Sequence, residues 1–564
     1  MMLFNPQKHN FHYKDQETQQ LMQKVIDFFE AKGLKSIKKD WHDKVWNYEF
    51  VDFMKENQVL ATLMTPEGYG DPSARWDTYR NTKFAEIIGF YGITYWYTFQ
   101  VSMLGVAPVW LGSNEKLKHK AAQLLQEGHV CAFGLSEKEH GADIYSSEMK
   151  LVDKGNGYFE GSGSKYYIGN GNEAGLVSTF GKVENSDDYV FFVVDSKHPQ
   201  YTCVKNTVNE QIHVSEYTIN HYPITAEDIS ERGQKAWDDM LNTINICKFN
   251  LGFASIGLCE HAFYEAINHA AHRNIYGKYV TDFPHIQRLF ADAYARLCAM
   301  KLFSERACDY MRSASQDDRR YLLFNPMVKM KVTSQGEEVI NHLWDVIAAK
   351  GFEQEPFFET AAHEIRMLPK LEGTVHVNMA LVVKFMQNYL FNPKDYPVIP
   401  HRDDVANDDF LFNQGPTRGL GKIQFHDYQQ TYDAVKLENV EIFKQQIAAF
   451  KDYLLHHSPS QDQARDVDYI LAMGECFTLI VYGHLILERA QHLATEDILI
   501  NEIFDVLVRD MSHYALTLAN KPSSTSGQYS ALRLMQHKPH HDQERFKALW
   551  QSIYSLSGSY TALD

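Results

Sequence analysis

The sequence lacks the motifs of several common protein classes. No Cys-x-x-Cys pair occurs among its seven cysteines, so neither a disulfide framework nor a cysteine-ligated zinc site is predicted. Unpaired thiols are typical of a reducing, cytosol-like compartment, and we expect a cytoplasmic protein. No Gly-x-Gly-x-x-Gly follows a predicted strand, which argues against a Rossmann cofactor site. No His-Glu-x-x-His is present either, and no metal site is expected.

A basic excess and a leader segment are also missing. The chain has 55 Lys and Arg against 72 Asp and Glu, a net charge of −17, which disfavours a nucleic-acid partner. The first twenty residues contain no apolar core typical of a targeting signal. Residues 469–487 are nearly long enough to span a bilayer but include Glu475 and His484. We expect a buried helix there, and peripheral membrane contact stays open.

The hydrophobic periodicity changes twice along the chain. Helical spacing dominates up to about residue 130, alternating strand-like runs follow, and helical spacing then returns. The strand-like runs include 166–172, 176–180 and 189–195, with a predicted hairpin at 153–165. One long helix is predicted within 237–272 and another at 283–311. This order predicts an α+β protein, mainly α. We expect a helical domain at 1–130, a β-barrel or sandwich domain at 131–228, a helical-bundle domain at 229–395 and a C-terminal helical extension at 396–564.

Five segments carry a resemblance to a known family. They are AFGLSEKEHGADI at 132–144, SKYYIGNGNEA at 164–174, HRNIYGKYVTDFPHIQRLFADAYARL at 272–297, IAAKGF at 347–352 and KLEGT at 370–374. In this order they resemble the acyl-CoA dehydrogenase family over roughly residues 45–390. The resemblance implies a bound FAD between the β domain and the last helical domain, and an acyl-CoA substrate against the flavin ring.

The resemblance assigns the catalytic base to Glu372. This carboxylate is expected to abstract the α-proton of the thioester while FAD N5 accepts the β-hydride. Gly373 is expected to let the backbone approach the thioester closely. Part of the family keeps its base on the helix near Cys247, but no carboxylate occurs between Leu241 and Leu258. Taken alone, Glu372 is better explained as an ordinary acid at a helix N-cap or in a first helical turn, and only the upstream motifs favour the base.

The resemblance also implies the contacts of the cofactor and the substrate. The predicted cofactor-binding residues are Phe133, Leu135, Ser136, Tyr167, Gly169, Arg273, Tyr276, Asp345, Thr374 and His376. Ser136 is expected to donate its hydroxyl hydrogen to the flavin, whereas Arg273 and Asp345 are expected to act on the FAD of a neighbouring subunit. Ala142 and Lys248 are the further predicted substrate contacts. For Tyr167 the competing interpretation is a core-facing strand residue, and for Lys248 it is a solvated helix residue.

Several positions depart from the family pattern. Ala142 replaces a serine, Gly169 replaces a threonine or serine whose hydroxyl usually meets flavin N5, and Pro284 stands where glutamine is usual, with Gln287 nearby. Ala348 and Ala349 replace a Gly-Gly pair that lets the backbone approach the FAD diphosphate. These changes affect individual cofactor contacts and leave the base in place.

The resemblance favours a homodimeric or homotetrameric acyl-CoA dehydrogenase of fatty acid β-oxidation that is reoxidised by an electron-transfer flavoprotein. Three alternatives remain. They are an acyl-CoA oxidase that reacts with O2, a relative of the DNA-alkylation-response flavoproteins, and a non-catalytic FAD-containing interaction protein. The acidic balance argues against DNA binding, because that requires clusters of Lys and Arg. The preferred acyl chain length and the role of the extension are not predicted.

Overall fold

The computed structural model describes residues 2–8, 11–186, 188–416 and 419–563. The chain forms two compact units. The sheet unit comprises Phe11–Asn250, Asp403–Arg418 and Ala562–Asp564, and the bundle unit comprises Met1–Asn10, Leu251–Arg402 and Gly419–Thr561. The first two predicted domains therefore share one unit, and most of the predicted extension shares the other with the helical bundle. The four domain boundaries themselves stay predictions.

Seven helices belong to the sheet unit. Asp15, Asp77 and Asn114 stand immediately before three of them, and the side chain of each accepts a backbone N–H of the first turn, as N-cap residues do. The helices are α1 (Gln16–Asp43), α2 (Tyr48–Glu56), α3 (Val59–Met64), α4 (Thr78–Tyr91), α5 (Ile93–Leu111), α6 (Glu115–Gln126) and α7 (Gly233–Cys247). Helix α5 is buried along its whole length, consistent with its nearly uninterrupted apolar sequence.

Eight strands form one mixed sheet in this unit. They are β1 (Cys131–Gly134), β2 (Lys150–Gly155), β3 (Tyr158–Gly169), β4 (Leu176–Val183), β5 (Tyr189–Val194), β6 (Tyr201–Asn206), β7 (Val214–Thr225) and β8 (Ile229–Arg232). The order is β6-β7-β3-β2-β4-β5-β8, with β1 parallel to β4. Helix α5 packs on β1 and β4, and α7 packs on β5. The sheet therefore packs against helices and is not exposed to solvent on both faces.

The predicted strands and hairpin at 153–165 are confirmed, with two differences. Strands β2 and β3 pair antiparallel through Asn156 and Gly157, whose φ values of 56° and 79° suit a tight two-residue turn. Strand β3 ends at Gly169, because Asn170 turns the chain with φ 57°. Strand β8 runs to Arg232, four residues past the predicted boundary, because it pairs with β5.

The bundle unit holds the remaining helices. They are α8 (Asn250–His272), α9 (Pro284–Arg312), α10 (Tyr321–Met327), α11 (Thr333–Ile347), α12 (Phe357–Glu364), α13 (Val375–Val382), α14 (Met386–Phe391), α15 (Tyr428–Asp433), α16 (Glu438–His456), α17 (Val467–Leu493), α18 (Asp497–Ala519), α19 (Ser526–Arg533) and α20 (Gln543–Tyr554). A hairpin of β9 (Asn274–Ile275) and β10 (Lys278–Tyr279) precedes α9. Residues 237–272 therefore hold two helices, α7 and α8, not a single one.

The C-terminal helices are joined to the bundle by four charge pairs, three of them largely buried and the fourth with an exposed Arg509. Helix α9 supplies one partner of each pair, and α17 or α18 supplies the other. The nitrogen–oxygen distances are 2.7 Å for Arg509–Asp292, 2.8 Å for Arg296–Asp510, 2.8 Å for Arg489–Glu305 and 2.7 Å for Arg306–Glu488. Because these pairs lie along one helix, the extension and the bundle share one continuous interface.

Helix α17 contains the apolar stretch that required a membrane test. By length and composition it is the one described helix that could cross a bilayer, with a mean hydropathy of 1.8 in its most apolar window. Of that window, 83% is buried inside the protein. Helix α17 packs against α9, α13 and α18, so the expectation of a buried helix is confirmed.

Candidate active site

The first half of the predicted site is the segment that follows β1. Phe133 and Leu135 are half-buried, and both pack against an apolar cluster formed with α7. The Phe133 ring stacks on Phe191 with centroids 6.1 Å apart. Their side chains therefore belong to the interior of the sheet unit, and the backbone of this segment is the part left to contact a ligand.

Ser136 is tied to the neighbouring strand in both directions. Its hydroxyl donates to the carbonyl of Tyr166 at 2.8 Å, and the amide of Tyr166 donates to the Ser136 carbonyl at 3.0 Å. The hydroxyl hydrogen is thus already used inside the protein, and its donation to the flavin stays a prediction. A ligand contact at Ser136 would run through its hydroxyl oxygen as an acceptor, or would have to displace the Tyr166 carbonyl.

A buried ion pair lies directly beneath this segment. The Lys165 ammonium donates to Glu137 Oε1 and to the Leu135 carbonyl, both at 2.8 Å, and Lys165 is fully buried. Glu137 also accepts hydrogen bonds from the Ser147 hydroxyl at 2.6 Å and the Glu148 amide at 2.7 Å. The pair fixes the backbone on both sides of Ser136.

The surroundings of this pair shift both ionisations. Burial lowers the pKa of Lys165 to about 8. Burial alone would raise the pKa of Glu137, but the Lys165 charge and the hydrogen bonds of Ser147 and the Glu148 amide hold that pKa below its usual value. Both residues therefore carry charge at neutral pH. The segments 132–144 and 164–174 contain Glu137 and Lys165, but the sequence analysis did not predict that these residues pair. The available signal was the occurrence of a charged residue in each of two largely apolar segments.

Tyr167 has a strained backbone in the middle of β3. Its φ is 66°, a left-handed value that a tyrosine rarely adopts in a strand. The register with β7 shifts between Tyr166 and Ile168, so Tyr167 is the extra residue of a bulge. The side chain is 57% exposed, which excludes the interpretation of a core-facing residue. A bulge that re-aims an aromatic ring outward is typical of binding sites.

The space at Gly169 is filled by helix α5. A Cβ added there would lie 2.7 Å from both Tyr97 Cε1 and Val101 Cγ2, and 2.9 Å from the Tyr97 hydroxyl. A threonine or serine would require α5 to move. Glycine at position 169 therefore allows Tyr97 to pack against the strand, and a residue with a hydroxyl would collide with it.

The two further predicted substrate contacts differ in exposure. Ala142 is exposed in the loop after β1. Lys248 is only 5% exposed and forms the C-cap of α7, so the interpretation of a solvated helix residue is wrong. A buried lysine must have its charge compensated, which makes Lys248 a stronger candidate for a specific role than the sequence suggested.

Glu372 lies in a left-handed turn ahead of α13. Glu372 and Gly373 have φ values of 51° and 84°, and Thr374, not Glu372, is the N-cap of the helix. The interpretation of Glu372 as an N-cap or first-turn acid is therefore wrong. Its carboxylate oxygen Oε2 is shielded from solvent. A Cβ at Gly373 would lie 3.2 Å from Asn378 Nδ2, and the φ value itself requires glycine there.

The residues after this turn are exposed. The Thr374 side-chain oxygen accepts the Val377 amide at 3.4 Å, which leaves its hydroxyl hydrogen able to reach a ligand. His376 is exposed in the first turn of α13. The structure thus brings Glu372, Gly373, Thr374 and His376 together within the bundle unit, as predicted.

The residues expected to act across a subunit interface are also exposed. Arg273 precedes the β9–β10 hairpin, and Tyr276 at its tip has φ 52° and is 95% exposed. Asp345 is exposed on α11. An aromatic side chain held this far out of its own unit is suited to contact another molecule.

The backbone at Ala348 keeps a shape that normally requires glycine. Ala348 has φ 58° and ψ −137°, a region that residues with a Cβ avoid. The Gly-to-Ala change therefore alters the side chain but not the turn at the end of α11. The retained turn is consistent with the expected approach of this backbone to the FAD diphosphate.

One cluster elsewhere in the bundle unit has metal-ligand composition. His426 Nε2 and His484 Nε2 lie 2.7 and 3.1 Å from Glu488 Oε1. Arg320 donates to His426 Nδ1 at 2.7 Å, so neutral His426 carries its hydrogen on Nε2 and points it at Glu488. Arg306 occupies the other carboxylate oxygen at 2.7 Å. These cations use the lone pairs that a metal would need, and the cluster is a charge-compensated network.

The cluster also shows a strong pKa shift. Burial would raise the pKa of Glu488, but the charges of His484 and Arg306 and the hydrogen bonds of both histidines hold it well below its usual value. Burial lowers the pKa of His426. Sequence reasoning missed this cluster, although His484 and Glu488 share a helix face at the i, i+4 spacing.

Comparison with known proteins shows which family this chain is similar to. The family described as "Acyl-CoA dehydrogenase, C-terminal domain" matches residues 235–387. The short-chain specific acyl-CoA dehydrogenase of Megasphaera elsdenii is 21% identical over 373 residues, which are 64% of this chain and 95% of that protein. An acyl-CoA dehydrogenase from Bacillus anthracis, solved with FAD, superposes with a TM-score of 0.72 at 15% identity, over 98% of this chain and 96% of that one.

A third match is a chain in the structure of an electron transferring flavoprotein of Acidaminococcus fermentans. It has a TM-score of 0.61 at 18% identity and covers 66% of this chain and 98% of that chain. The Bacillus match spans almost the whole chain, so it includes the C-terminal helices, whereas this match covers two thirds. The fold is thus that of acyl-CoA dehydrogenases with additional C-terminal helices.

The fold and these matches make the chain similar to the acyl-CoA dehydrogenase family, which is FAD-dependent. The predicted fold class is confirmed. The predicted family, enzyme class and cofactor are supported by these matches. The roles of individual residues, the substrate and the electron acceptor stay predictions.

Proposed function

We propose that the protein dehydrogenates an acyl-CoA thioester between its α and β carbons. The observation that carries this proposal is the geometry of Glu372, which the KLEGT resemblance makes the candidate base: it lies in a left-handed turn outside any helix cap, with one carboxylate oxygen shielded from solvent. A carboxylate held this way is suited to accept a proton from a weakly acidic carbon. We propose that this reaction serves the β-oxidation of fatty acyl chains.

The chain's own residues have separate tasks in this reaction. Glu372 accepts the α-proton, and Gly373, which has no side chain, allows the thioester to lie against the backbone. A bound FAD would supply the oxidant that removes the β-hydrogen with its two electrons. The outward Tyr167 ring would contact the cofactor, and the product is the α,β-unsaturated thioester.

The electron acceptor is proposed to be an electron-transfer flavoprotein. A similar chain occurs in the structure of the Acidaminococcus electron transferring flavoprotein, which supports this choice over O2. The DNA-binding alternative is disfavoured by the net charge of −17. It is also disfavoured because Arg489 and Arg509 of the extension are paired with carboxylates of α9.

We infer a homodimer or homotetramer, because Arg273, Tyr276 and Asp345 are exposed and would complete the FAD site of a neighbouring copy. We also propose that the protein is cytoplasmic and that it contacts membranes peripherally. Light scattering of the FAD-loaded protein measures the oligomer. A monomer that retains full activity would remove the role assigned to Arg273.

An anaerobic titration tests the proposed reaction. The purified, FAD-loaded protein is mixed with saturated acyl-CoAs of increasing chain length while the flavin absorbance is recorded. We expect bleaching with at least one chain length, and none with Glu372→Gln, which retains FAD and acyl-CoA binding. Bleaching of Glu372→Gln at the wild-type rate would show that the base lies elsewhere.

Two further outcomes separate the alternatives. Peroxide formed in proportion to turnover in air would identify an oxidase. Absence of bleaching at every chain length, with salt-sensitive binding of duplex DNA, would favour the DNA-alkylation-response class. Absence of both activities would favour a non-catalytic flavoprotein.

A further inference from the structure

Lys329 contacts the turn that carries the proposed base. It lies in a single π-helical turn, Val328–Val332, between α10 and α11, and its side chain is fully buried. The ammonium donates to the carbonyl of Pro369 at 2.7 Å and to the carbonyl of Gly373. These two carbonyls flank Glu372, so one cation holds the segment on both sides of the base.

The turn needs such support because its backbone is strained. Glu372 and Gly373 are consecutive left-handed residues, with φ values of 51° and 84°. A non-glycine residue in this region costs about 1–3 kcal/mol and persists only where its surroundings fix it. Asn378 adds to the fixation, since its side-chain amide donates to the Gly373 carbonyl at 3.1 Å and the Thr374 carbonyl at 3.0 Å.

The chemistry of Lys329 suits positioning. A protonated amine offers three donors and no acceptor, and two of these donors reach backbone carbonyls of the turn. Charge-assisted hydrogen bonds are roughly twice as strong as neutral ones, so the contacts resist rearrangement of the turn. π-Helical turns inside helices occur frequently at functional sites, and this one carries Lys329.

We propose that Lys329 is a positioning residue for Glu372. Its ammonium holds the left-handed turn in the conformation from which the carboxylate reaches the α-carbon of the substrate. This inference rests on the proposed dehydrogenase function. Lys329 does not exchange a proton with the substrate, and its effect is on the rate of α-proton removal.

Lys331 provides a matched control. It occupies the same π-helical turn and is only 4% exposed, but its ammonium lies over the rings of Tyr514 and Tyr482, 5.2 and 5.9 Å from their centroids. Lys329→Met and Lys331→Met therefore each remove one buried cation from one turn. Only the first removes hydrogen bonds to the Glu372 segment.

The experiment compares both variants as FAD-loaded full-length protein. The substrate is the acyl-CoA that bleaches the wild type most rapidly. FAD content, melting temperature, apparent acyl-CoA affinity and the anaerobic reduction rate at saturation are measured. Lys329→Met should reduce flavin about 10²-fold more slowly, because a small misplacement of a catalytic group costs a factor of this size. Affinity and FAD content should be retained, and Lys331→Met should react at close to the wild-type rate.

Amide hydrogen exchange provides a second readout that is independent of activity. Peptides covering residues 369–378 should exchange faster in Lys329→Met than in wild type or Lys331→Met. If Lys329→Met does not fold, Asn378→Leu removes hydrogen bonds to the same turn, and the same slowing and faster exchange are expected in smaller measure.

The results distinguish the two proposals. Equal reduction rates and equal exchange in the Lys329 and Lys331 variants would overturn the positioning role, whatever the substrate. A wild-type protein that no acyl-CoA bleaches would instead refute the proposed function, with the exchange data still reporting whether Lys329 holds the turn. A uniform loss of melting temperature without a rate difference would assign Lys329 to stability alone.

Discussion

In each unit, a buried lysine donates hydrogen bonds to a segment that carries predicted site residues. The two lysines have different partners. In the sheet unit, Lys165 is paired with the carboxylate of Glu137 and also contacts the Leu135 carbonyl. In the bundle unit, Lys329 contacts the carbonyls of Pro369 and Gly373. The first is an ion pair beneath a loop, whereas the second is a cation that fixes a strained turn.

The difference bears on what each lysine contributes. Removing one member of a buried ion pair leaves an uncompensated charge, so Lys165 contributes mainly to stability. Removing Lys329 withdraws its hydrogen bonds from two backbone carbonyls, and a carbonyl left without a donor costs about 1–3 kcal/mol. The sheet unit therefore holds its segment by charge compensation, and the bundle unit by fixing a backbone conformation.

The largest expected effect is that of Lys165→Met. Loss of the cation leaves Glu137 buried without its counter-charge, and the free energy of unfolding should fall by about 3–5 kcal/mol. Lys329→Met should lose less, about 1–3 kcal/mol. Urea unfolding monitored by circular dichroism measures both.

The exposed pair Lys197–Glu173, with a 2.6 Å contact, is the control in the same unit. Lys197→Met should change the unfolding free energy by at most about 1 kcal/mol. The double variant Lys165→Met, Glu137→Gln should recover part of the loss, because no buried charge then remains. If Lys329→Met lowered the free energy of unfolding more than Lys165→Met, the conclusion that Lys165 contributes more to stability would be wrong.

A smaller effect in the opposite direction is expected for Ala348→Gly. The backbone of Ala348, at φ 58° and ψ −137°, favours glycine, and relief of strain should exceed the entropy that glycine adds to the unfolded chain. The protein should become more stable by about 1 kcal/mol. Differential scanning calorimetry of FAD-free and FAD-loaded protein checks this. A drop in melting temperature would show that the turn is not strained.

The smallest expected effect appears at acid pH. The pKa of Glu137 is lower in the folded protein than its usual value, so its contribution is present above the unfolded pKa of about 4.3. That contribution is lost as the pH falls through the folded value. The difference in unfolding free energy between wild type and Glu137→Gln should therefore narrow below about pH 4.3.

The Ala348→Gly difference provides the contrast, because neither alanine nor glycine has a side chain that titrates. The difference in unfolding free energy between this variant and wild type should stay constant over the same pH range when measured by urea unfolding. If both differences in unfolding free energy narrowed together, a general acid transition of the protein would account for them. The assignment of the pH dependence to Glu137 would then be wrong.

Much of the fold follows from local patterns in the sequence. The strands β4 and β5 and the long helix α9 coincide with the segments that alternation and helical spacing predicted. The break between α7 and α8 at Lys248 was missed, because the helical spacing of apolar residues continues across it. The end of β3 at Gly169 was missed for a similar reason: Asn170 ends the strand through its backbone conformation.

The sequence by itself determined the order of the elements, the family resemblance and the place of Glu372 in its motif, because these depend on residue spacing along the chain. The tertiary structure alone decided which groups support that glutamate. Lys329 and Glu372 are distant in sequence, and nothing in the apolar run around Lys329 shows that its ammonium meets the Gly373 carbonyl. Likewise, the left-handed backbone at Tyr167, Ala348 and Glu372 has no signature in residue type. These features arise from packing and hydrogen bonds between remote segments, which a linear pattern does not encode.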